Sequence, residues 1–190
     1  MLQLLNLIYV FGFKLFGWRL VGGIPSNLRK SIIIVAPHAD WVDFPLGLFA
    51  IASLKTKINF LGKSELFDGH FGFFFRWLGG KPVDRFSNNG MVDSVVEMFN
   101  NNDRLHIALA PEGTRKAVSK LRTGFYYIAL EAKVPIIMIV FDYPNNRIVA
   151  REPHFLSGNM DEDMKEIALY YNQFDGVKKE WIKNYLLEEA

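Results

Sequence analysis

Cysteine is absent from these 190 residues, so no disulfide framework, thiolate nucleophile or cysteine-based metal site is available. Histidine is scarce, with four residues in unrelated contexts: His38, His70, His106 and His154. His106 lies inside an apolar run and reads as a satisfied core residue. His70 and His154 read as surface or packing residues. A metal site built from His38, Asp40 and Asp43 would lack further histidine support, and none is expected. Neither G-x-x-x-x-G-K-[ST] nor G-x-G-x-x-G occurs, which argues against a nucleotide phosphate loop. The uncharged run Met1–Phe13 stops at Lys14, short of the roughly 20 apolar residues a membrane span needs. It has no basic stretch before it and no small-residue cleavage site after it, which argues against a signal peptide.

What is present is apolar and aromatic: 50% of the residues are hydrophobic and 17 are Phe. That is rich for one domain of this length, and points to an apolar ligand or surface. The chain can bury a sizeable core without a covalent staple. The formal net charge is +2, but it is unevenly spread. Residues 1–35 hold Lys14, Arg19, Arg29 and Lys30 and no acid, whereas residues 151–190 hold five basic and nine acidic residues. The asymmetry suggests that one face meets something anionic.

Residues 1–20 are predicted to form a helix with almost no polar face. It fits the membrane interface, its Lys and Arg at the headgroups, better than it fits a core or dimer helix. Gly22-Gly23-Ile24-Pro25 ends it, dividing an apolar segment (1–25) from a main domain (26–190). Short β-branched or apolar runs predict strands at Ser31–Pro37, Lys57–Lys63, Leu105–Ala110, Val134–Phe141 and Arg147–Phe155. Amphipathic or apolar spacing predicts helices at Phe44–Leu54, Asn88–Asn100, Leu121–Ala132, Asp161–Tyr171 and Val177–Leu187. Strands alternating with helices imply an α/β layered domain. Between them, Phe67–Leu78 crowds six aromatic rings, including Phe71, Phe74 and Trp77. They can serve as core, line an acyl slot or enter lipid.

Three loops after apolar segments carry polar groups. The first, His38-Ala39-Asp40-Trp41-Val42-Asp43, follows the Ser31–Pro37 strand. In a helix, five residues advance by roughly 500°, so His38 and Asp43 would point apart. Pro37 disfavours helix before the pair and Pro45 belongs in a first helical turn, so a loop can bring them together. The result is a base with an orienting carboxylate. The alternative is a structural N-cap, Asp40 with Asp43 three residues on. The second loop is Val83-Asp84-Arg85. In the third, an acid, a glycine, a hydroxyl and a guanidinium follow a strand: Glu112-Gly113-Thr114-Arg115. Arg85, Thr114 and Arg115 make a seat for one phosphate. The alternative is that Arg115 caps a helix or pairs with Glu112.

These residues carry a resemblance. His38-x4-Asp43, Gly80-Lys81-Pro82-Val83-Asp84-Arg85, Pro111-Glu112-Gly113-Thr114-Arg115 and Val134-Pro135-Ile136-Ile137 resemble, in order and spacing, the four blocks of the PlsC-type glycerolipid acyltransferases. Ala110 and Met138 depart from positions where an aromatic residue and a proline are common in that family. The resemblance implies a single-domain mixed sheet flanked by helices, with an N-terminal membrane-docking helix and an acyltransferase domain over 26–190. It implies transfer of an acyl group from acyl-CoA or acyl carrier protein to a lysophospholipid hydroxyl, most simply that of 1-acylglycerol-3-phosphate. His38 would be general base and Asp43 its partner. Arg85, Glu112, Gly113, Thr114 and Arg115 would hold the acceptor's phosphate. Phe71, Phe74, Trp77, Val134 and Pro135 would shape the pocket. No metal or organic cofactor and no nucleic acid partner is expected, and the cytoplasmic face of the membrane is the expected location. The rival readings are another lyso-lipid acceptor (a lyso-ornithine or glycine lipid), a non-catalytic lipid-binding protein, and a phosphate-binding metallohydrolase.

Overall fold

The structure is a computed structural model that describes residues 11–36, 43–54, 56–83, 90–114, 116–177 and 179–187. His38, Arg85 and Arg115 lie outside the described residues. Seven strands form one sheet: β1 (Arg19–Val21), β2 (Lys30–Ala36), β3 (Ile58–Lys63), β4 (Gly80–Val83), β5 (Leu105–Leu109), β6 (Ile136–Asp142) and β7 (Arg147–Ala150). Their order is β1-β7-β6-β2-β5-β3-β4. Every pairing is parallel except β6–β7, which is antiparallel. The helices are residues 11–15 (α1), α2 (Asp43–Leu54), α3 (Glu65–Asp68), α4 (Gly72–Trp77), α5 (Gly90–Asn100), α6 (Gly124–Glu131), α7 (Met160–Asn172) and α8 (Glu180–Leu187). The mixed, helix-flanked sheet is the architecture expected from the alternating pattern.

The period-2 alternation of the central strands sorts the core into two layers. Ile32, Ile34, Ile136, Met138 and Val140 face α5, α6, α7 and α8. Ile33, Ile137, Ile139 and Phe141 face Leu46 and Ala50 of α2 and Phe13 of α1. Both faces of β2 and β6 are covered, which is why these strands read as continuous apolar runs rather than alternating ones. Tyr171 of α7 is wholly buried, and its hydroxyl donates to the carbonyls of Ile34 (2.9 Å) and Ile139 (3.3 Å), pinning the helix across the sheet. Burial pushes that phenol well above its usual value.

Two elements differ from expectation. The strand predicted over Arg147–Phe155 ends at Ala150, with His154 forming an isolated bridge to Ile136. The helix predicted through residue 20 ends by residue 15, and Arg19–Val21 is instead an edge strand paired with β7. Gly17 is the reason: it takes φ +72°, and the backbone N–H groups of Gly17 and Trp18 donate to Lys14 and Phe13 carbonyls, closing the helix. Residues 1–10, the remainder of that predicted helix, lie outside the described residues.

Candidate active site

The sheet topology decides which of the sequence blocks can meet. β2 and β5 are parallel neighbours, with Ile34 opposite Leu109. Their carboxyl ends therefore release the chain side by side at one sheet edge, where open α/β sheets bind ligands. β4 ends at Val83 on the same edge, two strand positions beyond β5 or roughly 10 Å away. There a cleft of about 600 Å³ opens between α2 on one face and α5 and α6 on the other. That volume suits a small-molecule or acyl-chain ligand. Its walls are largely apolar, with Leu48, Ile51, Phe60, Val92, Phe125 and Phe141 among them. Among the described residues its polar groups are few: the Asp43, Thr114 and Arg122 side chains and the Gly113 backbone.

Asp43 opens α2 and is only 3% exposed. The helix N-terminus favours its charge. The Tyr143 hydroxyl donates a hydrogen bond to Asp43 Oδ1. Tyr143 can reach it because β6 is the other neighbour of β2 and ends at the same edge. The ring of Tyr143 is held edge-on by Trp18, with centroids 5.4 Å apart, and by Phe141 at 6.4 Å.

On the opposite wall the Pro111–Thr114 turn is shaped by Gly113. Its φ is +65°, and its N–H donates to the Ala110 carbonyl at 3.0 Å. A Cβ at this position would stand 2.5 Å from Arg122 Nε and 2.6 Å from Arg122 Cδ. The glycine is therefore needed twice: for the left-handed backbone, and to let the Arg122 side chain lie across the turn. The Arg122 backbone N–H is tied to the Pro111 carbonyl at 2.9 Å. Arg122 is thus a cation of the cleft that the sequence blocks did not point to. It follows Thr114 by eight positions, and only the fold of the intervening loop returns it to the turn.

Glu112 behaves differently. It is 1% exposed, but its carboxylate turns away from the cleft. Trp181 Nε1 of α8 donates to Oε1 at 3.2 Å, and Lys179 Nζ lies 3.9 Å from Oε2. Among the described residues these two partners tie the turn to the α8 segment. Val134 and Pro135 are also not in this cleft. They precede β6, and the amino end of a strand parallel to β2 lies at the opposite sheet edge. There they border a shallower depression with Leu28, Arg29 and Lys30. Phe71, Phe74 and Trp77 do not line the cleft either; they are 72%, 42% and 58% exposed, Phe71 just before α4 and the other two on it. The inward side of that segment is Phe67, buried against Gly80, and Phe75.

His106 is a core residue. Its Nδ1 shares a 2.8 Å hydrogen bond with Ser31 Oγ across β2 and β5. Burial, with Arg104 nearby, lowers its pKa below 6.5. Among the described residues no group of three His, Asp or Glu side chains is placed to hold a metal ion. Among the same residues no helix is long and apolar enough to cross a membrane.

The acyltransferase family pattern matches residues 22–142, which take in β2 to β6 and the cleft. A 1-acyl-sn-glycerol-3-phosphate acyltransferase from Haemophilus influenzae is 23% identical, with 83% of this chain and 73% of the relative covered. The crystal structure of the 1-acyl-sn-glycerophosphate (LPA) acyltransferase PlsC from Thermotoga maritima superposes with a TM-score of 0.61 at 18% identity, covering all of this chain and 81% of that one. The family pattern spans well over half of the chain and includes the edge where Asp43, Thr114 and Arg122 converge. The chain therefore belongs to the PlsC-type acyltransferase family and is an acyltransferase enzyme.

Proposed function

We propose that this enzyme moves a fatty acyl group from an acyl-CoA or acyl-carrier-protein thioester to the free hydroxyl of 1-acylglycerol-3-phosphate, giving phosphatidate, at the cytoplasmic face of the membrane. One observation carries the reading. A buried carboxylate and a hydroxyl–guanidinium pair sit on opposing walls of one apolar cleft. An anionic head and a fatty chain need that combination together. The named relatives act on this class of acceptor, which supports the choice.

His38 is the general base. It takes the acceptor hydroxyl's proton while that oxygen attacks the thioester carbon. Asp43 accepts a hydrogen bond from the other ring nitrogen, selecting the tautomer and stabilising the imidazolium that forms. This is triad logic with the nucleophile supplied by the substrate. The tetrahedral oxyanion collapses by breaking the C–S bond, and the imidazolium returns its proton to the departing thiolate. A histidine with an ordinary pKa of about 6.5 suits both steps near neutral pH. Thr114 and Arg122, joined by Arg85 and Arg115, hold the phosphate and thereby fix the hydroxyl against His38. Such positioning is worth several kcal/mol of barrier. No metal ion or organic cofactor takes part.

The test is acyl transfer by purified enzyme to a panel of lyso-acceptors with each donor. His38→Ala should keep the folded circular-dichroism spectrum and lose on the order of 10²-fold or more in kcat. Near-wild-type turnover by that variant would end the general-base assignment. Preference for a lyso-ornithine or glycine lipid acceptor would replace the phosphate-bearing substrate.

A further inference from the structure

Two elements expose large apolar side chains on the same side of the sheet. On α1 and the turn that ends it, Phe11, Leu15 and Phe16 are 70–72% exposed. On the α4 segment, Phe71 and Phe73 are each 72% exposed, Trp77 58% and Phe74 42%. That the two share a side follows from topology. The connections β2–α2–β3 and β3–α3–α4–β4 both step in one direction along the sheet, and right-handed crossovers then lie on one face. α1 packs on α2 over that face through Phe13 and Phe49, whose rings are 6.3 Å apart.

We propose that α4 is a membrane-contacting element, its outer aromatic face seated in the interfacial layer of an anionic bilayer. Packing alone does not require that outer face. Gly72 and Phe75 make the inward contacts with Phe67, while Phe74 and Trp77 stack on each other at 6.1 Å. The composition is that of an interfacial helix, with Trp and Phe accompanied by the exposed cations Arg76 and Lys81. Charge agrees. The described residues of 11–83 contain eight Lys and Arg and three acids, one of which, Asp43, is buried. The described residues of 160–187, which build α7 and α8 on the other face, contain six acids and three Lys. An anionic surface is drawn to the first and repelled by the second.

Taken alone, the four rings of the α4 segment offer on the order of 500 Å², below the ~800 Å² per side of a stable protein interface, whereas a bilayer has no such threshold. The place is also apt: β3 and β4, which α3 and α4 connect, contribute Phe60, Leu61 and Val83 to the cleft wall. An acyl chain leaving the bilayer at α4 therefore has an apolar wall to follow. The proposal uses the acyl-transfer reading above only for the reason a membrane would be sought.

The test uses the full chain and vesicles of phosphatidylethanolamine with a minor fraction of phosphatidylglycerol. Phe73→Asp should weaken partitioning to these vesicles by roughly tenfold or more. Unchanged partitioning would overturn the proposal. A second measurement does not depend on that variant's folding. Lipids brominated in the upper acyl chain should quench a fluorescence component present in the wild type and missing from Trp77→Phe. Equal quenching in both would overturn it. So would a concentration-dependent dimer, seen by sedimentation, that Phe73→Asp abolishes without loss of vesicle binding. Activity on a water-soluble short-chain acceptor is read separately. If the wild type fails there, the acyl-transfer reading falls, while vesicle partitioning and quenching still decide the role of α4.

Discussion

Two buried carboxylates stand at the same edge of the sheet and do different work. Asp43 opens α2 after β2, and Glu112 follows β5, the next strand over. Both are nearly inaccessible, at 3% and 1% exposure. Asp43 takes the Tyr143 hydroxyl and borders the cleft. Glu112 takes the Trp181 indole and faces Lys179, holding α8 against the turn. Burial and residue type do not separate an acid that borders the cleft from one that ties a turn to a helix. What separates them is the side of the loop on which the carboxylate emerges, and what donates to it there.

Substitution puts that contrast to the test. The largest effect is expected from Asp43→Asn. The amide keeps the shape but presents an N–H where an acceptor is needed, so kcat should fall by roughly 10²–10⁴-fold with the fold intact. A loss below about threefold would place Asp43 among the scaffolding acids. Arg122→Ala comes next. It should raise the acceptor KM by roughly tenfold, equivalent to about 1.4 kcal/mol, with a smaller change in kcat. An unchanged KM would remove Arg122 from the phosphate seat.

Tyr143→Phe tests whether Asp43 depends on its donor. Losing a hydrogen bond to a charged group costs about 1.5–3 kcal/mol in general, of which part should appear as a severalfold drop in kcat. Acceptor KM should stay level, which a general loosening of the cleft would not allow. Glu112→Gln is expected to do least. The amide oxygen can still accept from Trp181, so kcat should stay within about twofold and Tm fall by no more than a few degrees. If this variant lost activity as Asp43→Asn does, the two acids would share one role.

Much of this arrangement was legible beforehand. The apolar strands and the polar loops after them announced an α/β sheet with polar groups gathered at its carboxyl edge, and Asp43, Gly113 and Thr114 are found there. Side-chain direction was not legible. The sequence spacing of Glu112 is the same whether it faces a phosphate or an indole. The contribution of Arg122 was hidden because a loop, rather than a periodic element, returns it to Gly113. Tyr143 was hidden because its partner lies a hundred positions away and meets it only through the β2–β6 pairing. Val134 and Pro135 were misplaced for a directional reason. Adjacency to a block in the chain says nothing about which end of a parallel strand the residues occupy.

The aromatic segments make the same point about burial. Phe67–Leu78 and the C-terminal helices are both ring-rich, yet Tyr171 and Trp181 are wholly enclosed and packed edge-on, 5.7 Å apart, while Phe71 and Phe73 stand in the open. Composition counts rings but cannot say which helix lies over which strand.

From the chain alone came the element types, their alternation and the residue chemistry at each strand end, because backbone periodicity and glycine or proline stereochemistry are local properties. The tertiary structure alone decided which strand ends became neighbours, which carboxylate faced the cleft and which rings stayed outside. Those outcomes depend on strand order and crossover hand, which bring together residues too distant in the chain for any local pattern to pair.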